Sequence, residues 1–277
     1  DKVCYNGEYV DSIDFPLLLN NRAFRYGDAF FETIKCFNGN PLYWEEHYFR
    51  IAGSFHIMKM NVPLQFDLDH FKNLINKLLI ENNLNNKPAR IRISFFRSGS
   101  GYYLPEKNTV DFLIESESMI NHEYRLNCQG LELGLYKDNL VAENHLSSIK
   151  NTNRLINVLA AIYSKENNFD ESFLLNTKNN IIEVTSGNVF ILLKNNLITP
   201  PISEGCVDGV LRKVLLKNKD LKIQEKEISI SDLLNSDEVF ITNVIIGVKW
   251  VKKFKNKLYV NKTASKVIAF LNQFHLV

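Results

Sequence analysis

The stretch Leu146-Ser-Ser-Ile-Lys150-Asn-Thr-Asn153-Arg154-Leu155 places a lysine after a loop of small polar residues and just before a predicted helix. The spacing of apolar residues predicts this helix from about Asn153 to Asn167. A lysine that acts as a nucleophile must be partly desolvated, because only its neutral amine can attack. A lone lysine at a helix start is usually a solvated surface residue. Other motifs of the chain are needed to distinguish a nucleophilic lysine from a surface lysine.

Two further motifs carry chemical groups that suit a bound cofactor. Glu183 lies at the end of the apolar segment Ile181–Val184, where a carboxylate can keep a heterocyclic nitrogen protonated. A glutamate at a strand end that faces water is the alternative. Gly209 precedes a predicted helix whose first residues are Val210 and Leu211, and the N–H groups of such a helix start can bind a phosphate.

Composition and charge exclude several classes of protein. The chain has 277 residues, of which 45% are hydrophobic, so it can form one large domain or two modest ones. Its 33 Lys and Arg residues against 31 Asp and Glu residues give a net charge of +2, which argues against a nucleic-acid surface. The basic stretch Lys249–Lys257 is predicted to be a solvated hairpin.

The cysteines indicate a reducing compartment. They are scattered and contain no C-x-x-C pair, which predicts thiols rather than a metal site or a disulfide framework. No apolar run is long enough to span a membrane, and the first residues show no apolar signal segment. We therefore expect a cytoplasmic protein without a membrane partner.

The order of predicted elements is α+β, without the regular alternation of a doubly wound sheet. We predict an N-terminal α/β domain over residues 1–115, a linker over 116–127 and a C-terminal domain over 128–277. Helices are predicted at residues 44–58, 66–81, 153–167 and 209–216. Strands are predicted at residues 3–5, 8–10, 30–37, 41–43, 90–96, 110–114, 131–136, 172–175, 181–184, 189–193 and 238–242.

Several motifs in a fixed order give the chain a family resemblance. They are Arg22-x-x-x-Tyr26-Gly27-Asp28-x-x-Phe31-Glu32-Thr33, Glu46-His47-x-x-Arg50, Ile149-Lys150-x-x-Asn153-Arg154-Leu155, Glu183-x-x-x-x-Asn188-x-Phe190 and Gly209-Val210-x-Arg212. From residue 6 to about residue 251, the chain resembles the fold-type IV enzymes that use pyridoxal 5′-phosphate (PLP). This group contains branched-chain aminotransferases, D-amino-acid aminotransferases and 4-amino-4-deoxychorismate lyases.

The resemblance implies a two-domain fold like that of D-amino-acid aminotransferase, with a small N-terminal domain, a larger C-terminal domain and PLP in the cleft between them. It implies that Lys150 forms the Schiff base with PLP and that Glu183 faces the pyridine nitrogen. The other cofactor-binding residues that it implies are Arg50, Asn188, Val210, Leu211, Thr242 and Asn243. It also implies a homodimer that acts on a small molecule, and no metal.

The residue type at position 33 differs between the members of this family. The lyases resemble this chain in having threonine there, whereas branched-chain enzymes have Phe-Glu-Gly and D-amino-acid enzymes have Tyr-Glu-Val. The spacing of Lys150 to Asn153 and the glycine-rich loop from Arg97 to Tyr102 also resemble the lyases. Threonine is nevertheless a good strand former in its own right.

The resemblance therefore favours a lyase that converts 4-amino-4-deoxychorismate to 4-aminobenzoate and pyruvate, a step of folate biosynthesis. Lys150 would act as the base and Thr33 would hold its amine or relay a proton. The substrate carries two carboxylates, so Arg92, Arg97 and Phe31 are the candidates for substrate binding.

Other functions stay open at this point. The first alternative is a class IV aminotransferase that acts on branched-chain or D-amino acids. A relative that has lost catalysis and acts as a binding or scaffold protein is a weaker alternative. A generic interaction domain that uses the basic stretch Lys249–Lys257 is weaker still, because the net charge is close to zero.

Overall fold

A computed structural model describes residues 1–15 and 19–273 of the chain. The chain divides into two compact units. The first unit contains Asp1–His122 together with Ile149–Asn153, and the second contains Glu123–Ser148 together with the chain from Arg154 onward. The segment that contains Lys150 therefore belongs to the first unit, although it lies in the second half of the sequence.

The first unit is a sheet with helices on one face. Its helices are α1 (Arg22–Tyr26), α2 (Trp44–Ile57) and α3 (Leu68–Glu81). Its strands are β1 (Lys2–Tyr5), β2 (Glu8–Asp11), β3 (Ala29–Phe37), β4 (Asn40–Pro41), β5 (Ala89–Arg97) and β6 (Val110–Ser118). The six-stranded sheet has the order β2-β1-β6-β5-β3-β4 and all of its pairings are antiparallel.

Strand β3 separates two environments, because successive side chains of a strand point to opposite faces. Phe30, Ile34 and Cys36 point to the face that α2 and α3 cover, and they belong to one buried apolar cluster with Ile51 and Phe71 of those helices. Phe31, Thr33 and Lys35 alternate with these residues and therefore lie on the other face. Burial of the first set anchors the strand, which fixes the position of the second set.

The segment around Lys150 is held against the start of β3. The N–H of Phe31 donates to the carbonyl of Lys150 at 2.9 Å, and the N–H of Thr152 donates to the carbonyl of Ala29 at 3.0 Å. Phe30 and Asn151 form the antiparallel bridge between these two bonds. In such a pairing Lys150 stands opposite Phe31, so its side chain shares the face of Phe31.

Among its described residues, the second unit contains a larger mixed sheet and four α-helices. The helices are α4 (Leu155–Glu166), α5 (Val210–Lys217), α6 (Ile230–Asn235) and α7 (Lys262–Gln273). The strands are β7 (Leu131–Leu135), β8 (Glu171–Leu175), β9 (Ile181–Val184), β10 (Gly187–Leu193), β11 (Asn196–Thr199), β12 (Gln224–Glu225), β13 (Glu238–Asn243), β14 (Gly247–Phe254) and β15 (Lys257–Leu258).

Strand β9 pairs with both β8 and β10. The run of strands from β10 through β13, β14, β7 and β8 to β9 therefore closes on itself. Aliphatic and aromatic residues from these strands, including Phe173, Val189, Ile241 and Val251, form a buried core. Closure places Glu183 of β9 directly opposite Asn188 of β10.

Most predicted elements agree with the structure to within a few residues at their ends, including the hairpin at 249–257, which is formed by β14 and β15. Sequence patterns missed the short helices α1 and α6, the terminal helix α7 and the strands β11 and β12. The predicted linker 116–127 begins inside β6, which continues to Ser118. Glu117 pairs with Arg90 across the sheet, so the first residues of the predicted linker are the end of a strand.

The first segment of the first unit ends at His122, inside the predicted linker. Residues 274–277, at the end of the predicted C-terminal domain, lie outside the described residues. In the described ranges 1–15 and 19–273, no helix combines the length and apolarity that crossing a membrane requires.

Candidate active site

Lys150 lies on the first unit's sheet face that the helices leave uncovered. Its Nζ is 4.7 Å from the centroid of the Phe31 ring. The side chain is half-buried, as a nucleophilic lysine requires, and the backbone pairing with β3 holds it in place. The sequence motif predicted this residue, and the structure shows what positions it.

Arg92 contacts the same aromatic ring as Lys150. The Cζ of its guanidinium lies 3.8 Å from the centroid of the Phe31 ring, which is the distance of a close stack. The Nε of Arg92 donates a long hydrogen bond to Ser94 at 3.3 Å and lies 3.9 Å from a carboxylate oxygen of Glu115. The structure thus brings together Lys150, Phe31 and Arg92.

Thr33 is half-buried on the same face, and its cross-strand neighbour in β5 is Arg92. Directly opposed residues in an antiparallel pair have Cβ atoms about 4.5–5.5 Å apart. The hydroxyl of Thr33 is therefore next to the cation at position 92 and one strand repeat from Phe31. Thr33 and Arg92 are both among the predicted site residues, and their roles remain predictions.

Lys35 is a member of this face to which the sequence analysis gave no role. It is 1% exposed, and burial lowers its pKa to about 8. Its cross-strand neighbour is Arg90, which pairs with Glu117 at 2.9 Å. The alternation of β3 from Phe31 could have identified this lysine, because position 35 must share the face of position 33.

The covered face of β3 carries a buried charge cluster. Glu32 is 1% exposed and accepts hydrogen bonds from Arg50 Nε at 2.6 Å and Arg50 Nη2 at 2.7 Å. Its carboxylate also lies 2.7 Å from Nδ1 of His47. Burial alone would raise the pKa of Glu32, but the charge of Arg50 and the hydrogen bond from His47 outweigh it and lower the pKa to about 2.

His47 completes this cluster and is fully buried. Burial lowers its pKa, against the opposing effect of Glu32. Its Nδ1–H donates to Glu32, because an ionised carboxylate can only accept a hydrogen bond. Its Nε2 is buried and has no hydrogen-bond partner among the described residues. Arg50 is predicted to bind the cofactor phosphate. In the structure, its two hydrogen bonds to Glu32 fix the orientation of its guanidinium.

Arg97 is placed differently from the prediction that it binds substrate. It is 8% exposed, and its guanidinium donates to Asp28, to Asn108 and to the backbone carbonyls of Met58 and Lys59. These bonds use four of its five N–H groups. The geometry therefore favours a structural role for Arg97 and leaves Arg92 as the candidate carboxylate-binding arginine.

Arg22 is the first residue of the motif that ends at Thr33, and its hydrogen bonds give it a structural role. Its Nε donates to Asp28 at 2.8 Å, and its Nη groups donate to backbone carbonyls of the glycine-rich loop, the shortest being that of Tyr102 at 2.6 Å. Gly27, the left-handed residue before Asp28, accepts hydrogen bonds from Thr152 and Asn153. The turn thus ties both the loop and the Lys150 segment to the start of β3.

In the second unit, Glu183 is a buried carboxylate at 5% exposure. Its Oε2 accepts a hydrogen bond from the backbone N–H of Val207 at 2.9 Å. The carbonyl of Val207 in turn accepts from the side-chain amide of Asn188 at 2.9 Å. Val207 therefore links Glu183 to Asn188, two predicted site residues, although no sequence pattern indicated Val207 itself.

Helix α5 begins beside Asn188. Its N-cap Gly209 provides no side-chain cap, and a Cβ at that position would lie 1.9 Å from Asn188 Oδ1, so a larger residue there would displace the Asn188 side chain. The first N–H groups of a helix have no partner within it, and here they belong to Val210 and Leu211. Such an uncapped helix start is suited to a phosphate.

Thr242 and Asn243 lie at the end of β13. Thr242 pairs in register with Asn188, and its buried hydroxyl has no hydrogen-bond partner among the residues that the structure describes. Asn243 is engaged in its own turn, because its side-chain oxygen accepts from the N–H groups of Ile245 and Ile246 at 3.0 Å. The orphaned hydroxyl makes Thr242 the better candidate of the two for a ligand.

The chain belongs to the amino-transferase class IV family, whose sequence model matches residues 29–254. This is a family of PLP-dependent enzymes, which identifies the cofactor as pyridoxal 5′-phosphate and confirms the resemblance and the two-domain fold class.

Particular relatives include both reaction types. Aminodeoxychorismate lyase of Vibrio harveyi is 28% identical over 235 residues, which cover 83% of this chain and 84% of the relative. Among solved structures, 4-amino-4-deoxychorismate lyase from Pseudomonas aeruginosa matches with a TM-score of 0.84 and 22% identity, covering 98% of each chain. Branched-chain amino acid aminotransferase from Escherichia coli matches with a TM-score of 0.86 and 23% identity, covering 99% of this chain and 94% of that one. The fold is thus common to lyases and aminotransferases.

Each unit, taken by itself, contains residues whose chemistry suits this cofactor. The half-buried amine of Lys150 suits its aldehyde, and the buried carboxylate of Glu183 suits a pyridinium nitrogen. The uncapped start of α5 and the orphaned Thr242 hydroxyl suit its phosphate. When bound, PLP withdraws electrons from the carbon that bears the substrate's amino group.

Proposed function

We propose that this enzyme is a lyase that converts 4-amino-4-deoxychorismate to 4-aminobenzoate and pyruvate. The observation that carries the proposal is the position of Thr33, which shares a sheet face with Lys150 and is the cross-strand neighbour of Arg92. The lyases of this family resemble the chain in having a threonine at that position. The similarity to the Vibrio harveyi lyase supports the same reaction.

The cofactor would be held by several groups of the chain. Lys150 would bind it covalently, and Glu183, braced by the N–H of Val207, would keep its ring nitrogen protonated. Arg50 and the N–H groups of Val210 and Leu211 would bind its phosphate. Asn188, Thr242 and Asn243 would complete this binding site.

The chain's own residues would then carry the reaction. The amine of Lys150 takes the proton from the carbon that bears the substrate's amino group. The hydroxyl of Thr33 holds this amine by a hydrogen bond or passes a proton to the departing group. The bond between the neighbouring ring carbon and the enolpyruvyl oxygen breaks, so pyruvate leaves and the ring becomes aromatic. Arg92 binds a substrate carboxylate throughout.

An aminotransferase is the second candidate, and the match to the Escherichia coli branched-chain enzyme favours it. It would use the same Lys150 as base, because both reactions begin with removal of the same proton. A hydroxyl at position 33 is not needed for that step. The two candidates therefore differ in how strongly they depend on Thr33.

One assay separates the candidates. Purified PLP-loaded protein is given aminodeoxychorismate in one reaction, and D-alanine or leucine with 2-oxoglutarate in two others. The lyase proposal expects 4-aminobenzoate and pyruvate in the first reaction and no glutamate in the others. Glutamate formation without 4-aminobenzoate would establish the aminotransferase instead.

We further infer that the enzyme serves folate biosynthesis in the cytoplasm as a homodimer, with a small molecule as its substrate. The lyase product, 4-aminobenzoate, supports the first inference, and the unpaired thiols of the four cysteines support a reducing compartment. Light scattering on the purified protein tests the dimer, and a monomeric mass would refute it.

A further inference from the structure

We propose that His47 is a positioning residue for the cofactor's phosphate, because its Nδ1–H holds the carboxylate of Glu32 in the plane of the Arg50 guanidinium. Its other ring nitrogen, Nε2, takes no part. His47 has this role only if Arg50 binds the phosphate of PLP, as in the proposed function. The role is the same for an elimination and for a transamination, since both reactions use the same cofactor.

The carboxylate of Glu32 accepts hydrogen bonds from two residues of one helix. Its Oε1 accepts from Arg50 Nε at 2.6 Å. Its Oε2 accepts from Arg50 Nη2 at 2.7 Å and from His47 Nδ1 at 2.7 Å. His47 and Arg50 are three positions apart in α2, so their side chains lie on the same face of the helix. Helix α2 thus presents both donors to a single carboxylate of β3.

The hydrogen bond from His47 adds a constraint that the pair of Arg50 and Glu32 does not have by itself. In a side-on pair, two parallel hydrogen bonds keep the guanidinium and the carboxylate in one plane. Such a pair can still tilt as a unit. The bond from His47 to Oε2 ties the carboxylate to α2 through a second residue and opposes this tilt. The guanidinium is thereby preorganised for the phosphate that binds to it.

Burial makes the arrangement sensitive to the loss of one donor. Glu32 is 1% exposed and His47 is fully buried, so solvent does not replace a missing hydrogen bond to Oε2. Burial raises the pKa of Glu32, but the charge of Arg50 and the hydrogen bond from His47 outweigh it and lower the pKa to about 2. The carboxylate is therefore ionised at neutral pH. Without His47, its orientation would depend on β3 and Arg50 alone.

The two ring nitrogens of His47 lie in different environments. Nδ1 is hydrogen-bonded to Glu32, whereas Nε2 is buried and has no hydrogen-bond partner within the residues that the structure describes. A buried polar atom without a partner is unfavourable, so Nε2 does not account for a histidine at this position. The Nδ1–H is the group that acts. Substitution can separate the two nitrogens, because the amide nitrogen of asparagine replaces Nδ1 and that of glutamine replaces Nε2.

The test compares two aldehydes that differ only in the phosphate, PLP and 5′-deoxypyridoxal. Absorbance titration of the full chain, freed of cofactor, gives the Kd of each, and the ratio of the two values isolates the phosphate. His47→Leu should lower the preference for PLP by about tenfold, the size expected when a hydrogen bond to a charged group is lost. His47→Asn should keep the wild-type ratio, whereas His47→Gln should behave like His47→Leu. If the leucine variant fails to fold, the two amide variants answer the same question.

Several outcomes would overturn the role of His47. They are an unchanged ratio in His47→Leu, an equal loss of affinity for both aldehydes, and recovery by glutamine but not by asparagine. Arg50→Met is the reference variant, and it should lower the preference for PLP at least as much as His47→Leu does. An unchanged ratio in Arg50→Met would refute the phosphate role of Arg50 in the proposed function, and with it the role of His47. A protein that shows the expected ratios but makes no 4-aminobenzoate would refute the lyase reaction alone.

Discussion

The two faces of strand β3 differ in how their charged side chains are paired. On the covered face, Glu32 is surrounded by Arg50 and His47, and its hydrogen bonds to both are 2.6–2.7 Å long. On the uncovered face, the cations of Lys150 and Arg92 lie over the neutral ring of Phe31, and the nearest carboxylate to Arg92 is 3.9 Å away. One face neutralises its charges within the protein, whereas the other keeps cations positioned for an anion.

One strand can therefore serve both as scaffold and as part of the active site. A buried charge must be paired, and breaking such a pair is costly, so the cluster of Glu32 fixes the strand. The half-buried cations of the other face are held by weaker contacts that a ligand can supplement. We therefore expect a change at Glu32 on the covered face to reduce stability, and changes on the uncovered face to reduce catalysis.

The largest effect is expected on the covered face. Glu32→Gln should lower the free energy of unfolding by about 3–5 kcal/mol, because it leaves Arg50 with a neutral partner in a buried site. Urea unfolding followed by circular dichroism measures this value. Glu117→Gln is the matched control, since its exposed bridge to Arg90 should contribute at most about 1 kcal/mol. Equal losses in both variants would contradict the contrast between the faces.

The same pair predicts a pH dependence of stability. The pKa of Glu32 is lowered from 4.5 to about 2, so its ionised form favours the folded state. This contribution is complete above pH 4.5 and is lost as the pH falls from 4.5 towards 2. The free energy of unfolding should therefore fall more over this pH range in the wild type than in Glu32→Gln. An equal fall in the two proteins would contradict the pairing.

A smaller effect, confined to catalysis, is expected at Thr33. Thr33→Val should depress elimination by ~10²-fold if the hydroxyl acts in proton transfer. The unfolding free energy should hardly change, because valine has nearly the same shape and suits a strand. Thr33→Ser restores a hydroxyl and should recover most of the rate. A valine variant with the wild-type rate would remove Thr33 from the mechanism.

The smallest effect is expected for Arg92→Lys, which keeps the charge but loses the planar stack and the bidentate donors. We expect KM for the carboxylate substrate to rise by about tenfold. Stability should stay within about 0.5 kcal/mol of the wild type, as for other partly exposed positions. A loss of stability without a change in KM would assign Arg92 to the scaffold rather than to the ligand.

The sequence predicted the elements of the fold and much of the candidate site, because both rest on local patterns. Alternation along residues 30–37 identified β3, and the motif around Lys150 identified the candidate nucleophile. Local patterns could not show that residues 149–153 pair with β3, since this pairing joins segments more than a hundred residues apart.

The roles of the arginines also depended on such distant contacts. Arg92 and Arg97 occupy one strand and looked equivalent in the sequence, but Asp28 and the carbonyls of Met58 and Lys59 engage only the second. Glu117 was predicted to lie in a linker because its partner, Arg90, lies on another strand. The roles of these side chains could not be predicted, because their hydrogen-bond partners are remote in sequence.

The central claim is that Lys150 binds PLP covalently, and reduction with borohydride tests it most directly. The loaded protein should show an absorbance band near about 410–420 nm that is lost on reduction. Digestion and mass spectrometry should then find the cofactor's mass on the peptide that contains Lys150, and on no peptide of Lys150→Ala. A wild-type protein that stays colourless and unmodified, or carries the cofactor on another lysine, would contradict the account.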